Sequence, residues 1–160
     1  MKLSCITTCA RLRVAKCSPS VLKIGQLNAQ SLGNKFTDIN DLITEHQLSL
    51  FAVLETWHDS IDSPTVIAST LPGYRFLEKS RQRTSSQLKC NHEGICVFLK
   101  SHFTACLVTL PVYDTFEALL LTVRHGAINA TLLTLYRPGL RAITNDDFFH
   151  RVCWCFRTVY

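Results

Sequence analysis

Two apolar runs of strand length, "VLKIGQLN" (residues 21–28) and "LSLFAVLE" (residues 48–55), flank a segment with helical spacing. In that segment, "NKFTDINDLITEHQ", the apolar residues Phe36, Ile39, Leu42 and Ile43 fall at i, i+3, i+6 and i+7 and form one stripe. Asn34 or Ser31 is placed to cap the free amides of its first turn. The second run is almost continuously apolar, as expected of a strand covered on both faces. Strand, helix, strand in that order restricts the topology strongly, because the connecting crossover is right-handed and the two strands run parallel in one sheet. Their C-terminal ends then share one edge, the edge at which α/β folds bind ligands. Each run delivers a polar side chain there, Asn28 from the first and Glu55 from the second.

The remainder reads as α/β with a strand-rich second half. Residues 1–20 show no sustained period and end in the breaker cluster "CSPS", so they are expected to form a loose leader to a domain over 21–160. A polar middle follows Trp57, within which "PGYRFLEK" reads as a turn feeding a short strand. From Gly94 onward, "GICVFLK", "TACLVTLP", "FEALLLTVR" and "INATLLTLYRP" are short strands at near-regular spacing with hairpin-length breaks, the pattern of an antiparallel sheet. The segment "TNDDFFHRVCWCF" is amphipathic enough for a helix, with Thr144 or Asn145 as cap and Asp146 and Asp147 at its positive end.

At 160 residues the chain is one domain with room for a sizeable core. Its net charge of +5 favours a polyanionic partner only mildly. No stretch approaches the roughly 20 apolar residues of a membrane helix. The apolar part of "MKLSCITTCARLRVAK" is broken by Arg11 and Arg13 before it reaches the length of a secretion signal. An intracellular address, nucleus or cytoplasm, follows as the expectation, with the eight cysteines as free thiols. Cys96 and Cys106 lie inside apolar runs, where a reduced cysteine packs as a small hydrophobe. The sequon at Asn129 has no meaning outside the secretory route.

The last of the short strands also ends on chemistry, at Tyr136 and Arg137 before the breaker Pro138. A strand-end carboxylate such as Glu55 suits Mg²⁺, a hard cation that binds oxygen and keeps most of its waters. An amide (Asn28) and a phenol (Tyr136) nearby can hydrogen-bond a phosphate or orient a reacting group. The residues alone leave plainer readings open: Asn28 as a turn former, Glu55 as a solvated carboxylate, Tyr136 as packing.

"LKIGQLNAQSLGNK", "LFAVLETW", "LPGYRF", "GICVFLK", "FEALLLTV" and "LLTLYRPG", in this order, resemble the endonuclease domain of non-LTR retrotransposon polyproteins. That domain belongs to the endonuclease/exonuclease/phosphatase superfamily, and the resemblance covers roughly residues 21–150. It implies the N-terminal part of a four-layer α/β sandwich that nicks DNA with Mg²⁺ and exposes a 3′-hydroxyl for reverse transcription. By position, Asn28 matches the Asn close to the metal and the scissile phosphate, Glu55 the metal-binding Glu, and Tyr136 the Tyr that contacts the phosphate. The implied metal residues are therefore Glu55 and Asn28, and the implied catalytic set is Asn28, Glu55 and Tyr136.

Two motifs of the pattern are absent from these residues: an Asp-x-Asn after a further strand and a final Ser-Asp-His. Asp38-Ile39-Asn40 lies inside the first helix, ahead of the Glu motif, and is a decoy. Downstream of Tyr136 stand only Asp146, Asp147 and His150, in the expected C-terminal helix. Hydrolysis of a phosphodiester needs an activated water and a stabilised leaving group as well as a metal. The expectation is a C-terminally truncated, inactive endonuclease-like chain, with the inner face of its first sheet uncovered and open to self-association. The alternative is a non-catalytic nucleic-acid- or protein-binding fragment using Lys79, Arg81, Arg83 and Lys89 on phosphates. A zinc module built on Cys90, His92 and Cys96, with Cys153 and Cys155, lacks the two regular ligand pairs of a structural site. His58 and Glu93 depart from the family pattern, His58 where an apolar residue is usual and Glu93 in a Gly-Gly turn.

Overall fold

The computed structural model describes residues 21–58, 64–78, 94–111 and 116–137, together with the backbone of Lys79 and of a strand over 9–14. In chain order the elements are β1 (Cys9–Val14), β2 (Ile24–Asn28), α1 (Phe36–Glu45), β3 (Leu50–Leu54), α2 (Pro64–Ser69), β4 (Tyr74–Lys79), β5 (Ile95–Lys100), β6 (Thr104–Val108), β7 (Glu117–His125) and β8 (Ile128–Tyr136). They form two four-stranded sheets, ordered β2-β3-β5-β4 and β1-β8-β7-β6.

The opening unit is the one the sequence dictates. β2 and β3 are parallel, with Ile24 opposite Leu50 and Asn28 opposite Leu54. Every residue of β3 is buried, because the alternation of side chains sends its two faces into two different cores. Leu50, Ala52 and Leu54 pack against Leu119, Leu121, Val123 and Leu132 of the second sheet. Phe51 and Val53 pack against Ile39 and Ile43 of α1 and Val66 of α2. Each such side chain, removed from water, stabilises by about 1.5–3 kcal/mol, so these two interfaces dominate the fold. Gly25 in β2 permits the close approach of the helix-side layer: a Cβ there would lie 2.6 Å from Leu48 Cδ1 and 2.7 Å from Phe51 Cδ2.

Several expectations are revised. The helix begins at Phe36 with Lys35 as N-cap and no side-chain cap bond; Ser31 Oγ accepts the Gly33 amide at 3.2 Å instead. Phe36, at the open end of the stripe, is exposed, while Ile39 and Ile43 are fully buried. The four strands after Gly94 do not share a sheet. β5 is buried from Ile95 to Leu99 and inserts antiparallel between β3 and β4. After the turn closed by Phe103 N–H on Lys100 O, the chain crosses to the second sheet. The bare inner face expected for the first sheet is therefore absent: β7 and β8 cover it, and no uncovered sheet remains there to drive self-association. A strand, β1, lies inside the stretch expected to be a loose leader and pairs antiparallel with β8. Cys96 is a fully buried core residue, but Cys106 is exposed on β6, which lies at the edge of its sheet.

The molecule is thus mixed α/β, and its described residues supply three layers: helices, sheet, sheet. Among them no helix is long and apolar enough to cross a membrane. The expected C-terminal helix around 144–156 lies outside the described residues.

Candidate functional site

The site forms where β2 and β3 end. Ala29 N–H still bonds Leu54 O at 3.0 Å, and beyond it the two loops stay zipped, by Ser31 N–H to Glu55 O (2.8 Å) and Leu32 N–H to Thr56 O (3.0 Å). Four non-glycine residues in these loops take positive φ: Gln30 (51°), Ser31 (105°), Glu55 (54°) and Trp57 (50°). Such conformations cost on the order of 1–3 kcal/mol each and persist where the surroundings over-determine them. The loop-to-loop bonds are that restraint.

The backbone at Glu55 also redirects its side chain. Strand alternation would send residue 55 toward the helices, with Phe51 and Val53. Instead its carboxylate meets two groups of the inter-sheet layer. Asn28 Nδ2 donates to Glu55 Oε1 at 2.8 Å, and Tyr136 Oη donates to the same oxygen at 2.6 Å. All three side chains are partly buried at the rim of the inter-sheet core. The three strand-end residues singled out in the sequence are therefore brought together on one atom.

Glu55 Oε2 takes no hydrogen bond from the described residues. A carboxylate held through one oxygen, with the other open, suits a hard divalent cation that retains its waters. The Asn28 amide is turned so that Nδ2 faces Glu55, while its Oδ1 accepts the Gln30 amide at 3.3 Å. It holds the carboxylate directly and offers a cation only its remaining lone pair. Among the described residues no group of three His, Cys, Asp or Glu side chains forms a metal cage. Of the zinc alternative, only Cys96 is described, and burial, reinforced by the Glu78 charge, pushes its thiol well up. It stays protonated in the core; Cys90, His92, Cys153 and Cys155 lie outside the described residues.

Behind Glu55 lies a second tier that the sequence reading did not identify. Glu117, first residue of β7, accepts the Gly94 amide on Oε2 at 3.0 Å. Gly94 O in turn accepts the Thr56 amide at 3.3 Å. Thr56 is buried, and its Oγ1 bonds His58 Nδ1 at 2.8 Å. His58 Nε2 pairs with Glu78 Oε2, and both side chains are almost wholly enclosed. His58 is thus matched by a carboxylate on β4. A usable signal for Glu117 existed: a two-residue turn at Gly126–Ala127 places it opposite Tyr136, as the register confirms. A hollow of about 620 Å³ opens elsewhere, between Lys23, Tyr74 and Lys100 at the opposite end of the first sheet. Of the basic stretch, only the backbone of Lys79 is described, in register with Ile95 at the site's end of that sheet; Arg81, Arg83 and Lys89 lie outside the described residues, as does Glu93.

No protein-family model, curated protein or solved structure matches this chain.

Proposed function

We propose that this chain is an endonuclease-like domain of the endonuclease/exonuclease/phosphatase type, akin to the endonuclease of non-LTR retrotransposon polyproteins, with a Mg²⁺ position at Glu55. The observation that carries the reading is the convergence of Asn28 and Tyr136 on Glu55 Oε1, at 2.8 and 2.6 Å, from three separate strand ends. The helix–sheet–sheet layering is compatible with the four-layer sandwich of that type.

In this reading each residue has a distinct task. Glu55 presents Oε2 to the cation while Oε1 is fixed, so little ordering remains to be done on binding. Asn28 and Tyr136 hold that carboxylate; the single proton of the Tyr136 hydroxyl is committed to Glu55 Oε1, so the phenol would donate to a phosphate oxygen only by exchanging that bond. Mg²⁺, when bound, supplies positive charge to a phosphoryl oxygen. Activation of water and protonation of the leaving group need the Asp-x-Asn and Ser-Asp-His groups. The decoy Asp38-Ile39-Asn40 cannot supply them, because its Ile39 is fully buried under the sheet and the triplet lies within α1. We infer that these 160 residues bind a divalent cation without completing hydrolysis by themselves.

The test pairs binding with activity. Mn²⁺ binding, read by water-proton relaxation, is expected in the wild-type chain and weaker by about tenfold or more in Glu55→Ala. Mg²⁺-dependent nicking of supercoiled plasmid is expected to equal background in both. Nicking that disappears in the variant would overturn the inactive reading, and a wild-type chain that binds no Mn²⁺ would overturn the site. A second reading, a non-catalytic nucleic-acid-binding module, draws on Lys79, which opens the basic stretch at the same end of the sheet as Glu55. It predicts DNA binding with steep salt dependence that is unchanged in Glu55→Ala.

A further inference from the structure

We propose that Glu117 is a positioning residue that sets Glu55 through Gly94, an inference that rests on the reading of Glu55 as the cation-binding carboxylate. The loop bearing Glu55 has left-handed backbone at residues 55 and 57. Its zipper to the β2 loop restrains one side, through Glu55 O and Thr56 O. The other side is restrained from the second sheet. Glu117 Oε2 receives the Gly94 amide, and Gly94 O receives the amide of Thr56, the residue after Glu55.

Two further features make this path specific. Gly94 has φ +121° and packs directly on Thr56 Oγ1, where a Cβ would collide; the strand start is shaped to reach the Glu55 loop. Glu117 is also the register partner of Tyr136. The pair of β7 and β8 therefore delivers both the phenol that bonds the Glu55 carboxylate and the carboxylate that fixes the Glu55 backbone. A shift of this hairpin end would move both restraints together.

The position of one oxygen, rather than the charge of Glu117, is what this role requires. Glu117→Gln keeps a carbonyl oxygen at the same reach for the Gly94 amide, whereas Glu117→Asp keeps the charge but withdraws it by one methylene. With Mn²⁺ as the probe, the expected result is affinity within about twofold of wild type for Glu117→Gln and a loss of about tenfold for Glu117→Asp, the scale typical of residues that support a metal ligand. The opposite order would make Glu117 a direct cation ligand and overturn the proposal, as would equal affinities in all three. Hydrogen exchange at the Thr56 amide gives a readout independent of metal. Protection retained in Gln and lost in Asp supports the positioning role even if wild type fails to bind Mn²⁺, which would sink the site reading alone. Equal protection in all three overturns it.

Discussion

At Gly94 two constraints coincide: a φ of +121° that side-chain-bearing residues rarely adopt, and a neighbour, Thr56 Oγ1, that leaves no room for a Cβ. Gly94→Ala is expected to destabilise by about 2–4 kcal/mol, combining backbone strain with the collision. Adding Thr56→Ala removes the collision and leaves the strain, so the double variant should recover part of the loss. Urea melts of the two single variants and the double one measure this coupling, and strictly additive effects would show that the contact does not exist. The same neighbourhood explains His58. Read in isolation it is a departure from pattern; in the fold its imidazole joins Thr56 to Glu78 and stands edge-on to Phe76, with ring centroids 5.5 Å apart. Nothing in the local sequence announces that partner, because Glu78 is 20 residues away, on β4. Cys96 was expected in the core from its apolar run and is found there, on a strand paired on both sides. Cys106 sits in an equally apolar run and is exposed, because burial there depends on β6 being an edge.

Among the elements, α1 offers the clearest room for improvement. Its N-cap is Lys35, with no side-chain bond to the first-turn amides, and the Lys35–Asp38 pair is 3.3 Å apart between exposed side chains. Such a surface pair contributes about 0–1 kcal/mol. Lys35→Ser would place a hydroxyl at the cap with Asp38 three residues on, an arrangement close to a capping box. A net gain of about 0.5–1 kcal/mol is expected, raising Tm by roughly 1–4 °C in a domain of this size. An unchanged melt would mean that the backbone at residue 35 does not relax into a capping conformation. The existence of α1, β2, β3 and the later strands was readable because period and turn residues are local signals. Which sheet each strand joins was not, because alternation says that a residue pair faces two sides without saying what lies there. β5 and β7 have similar apolar runs, yet one completes the first sheet and the other builds the second. The six-residue α2 was missed for a different reason: one buried apolar residue, Val66, is too little to establish a helical period.

For the molecule as a whole, the candidate site is a property of the sandwich and not of either sheet. Asn28 and Glu55 were legible as neighbours from the crossover rule, and Tyr136 stood out as a third polar residue at a strand end. The hydrogen bonds that unite them were beyond the sequence, since they depend on how the two sheets stack. The Tyr136–Glu55 bond joins residues 81 apart along the chain, whereas Asn28 and Glu55 are 27 apart. That difference has a kinetic meaning. The parallel β2-α1-β3 unit can form early with its carboxylate held on one side, but closing the long loop to Tyr136 requires the second sheet to have docked. Non-local pairing of this kind sets refolding on the millisecond-to-second scale. In stopped-flow refolding, recovery of Mn²⁺ affinity should follow the slowest of these phases and never precede it; recovery in an earlier phase would show that the first sheet suffices. Tyr136 then acts as the closing latch of the folding reaction, so that a chain arrested before the sheets meet carries Glu55 but not the fixed carboxylate a cation would find.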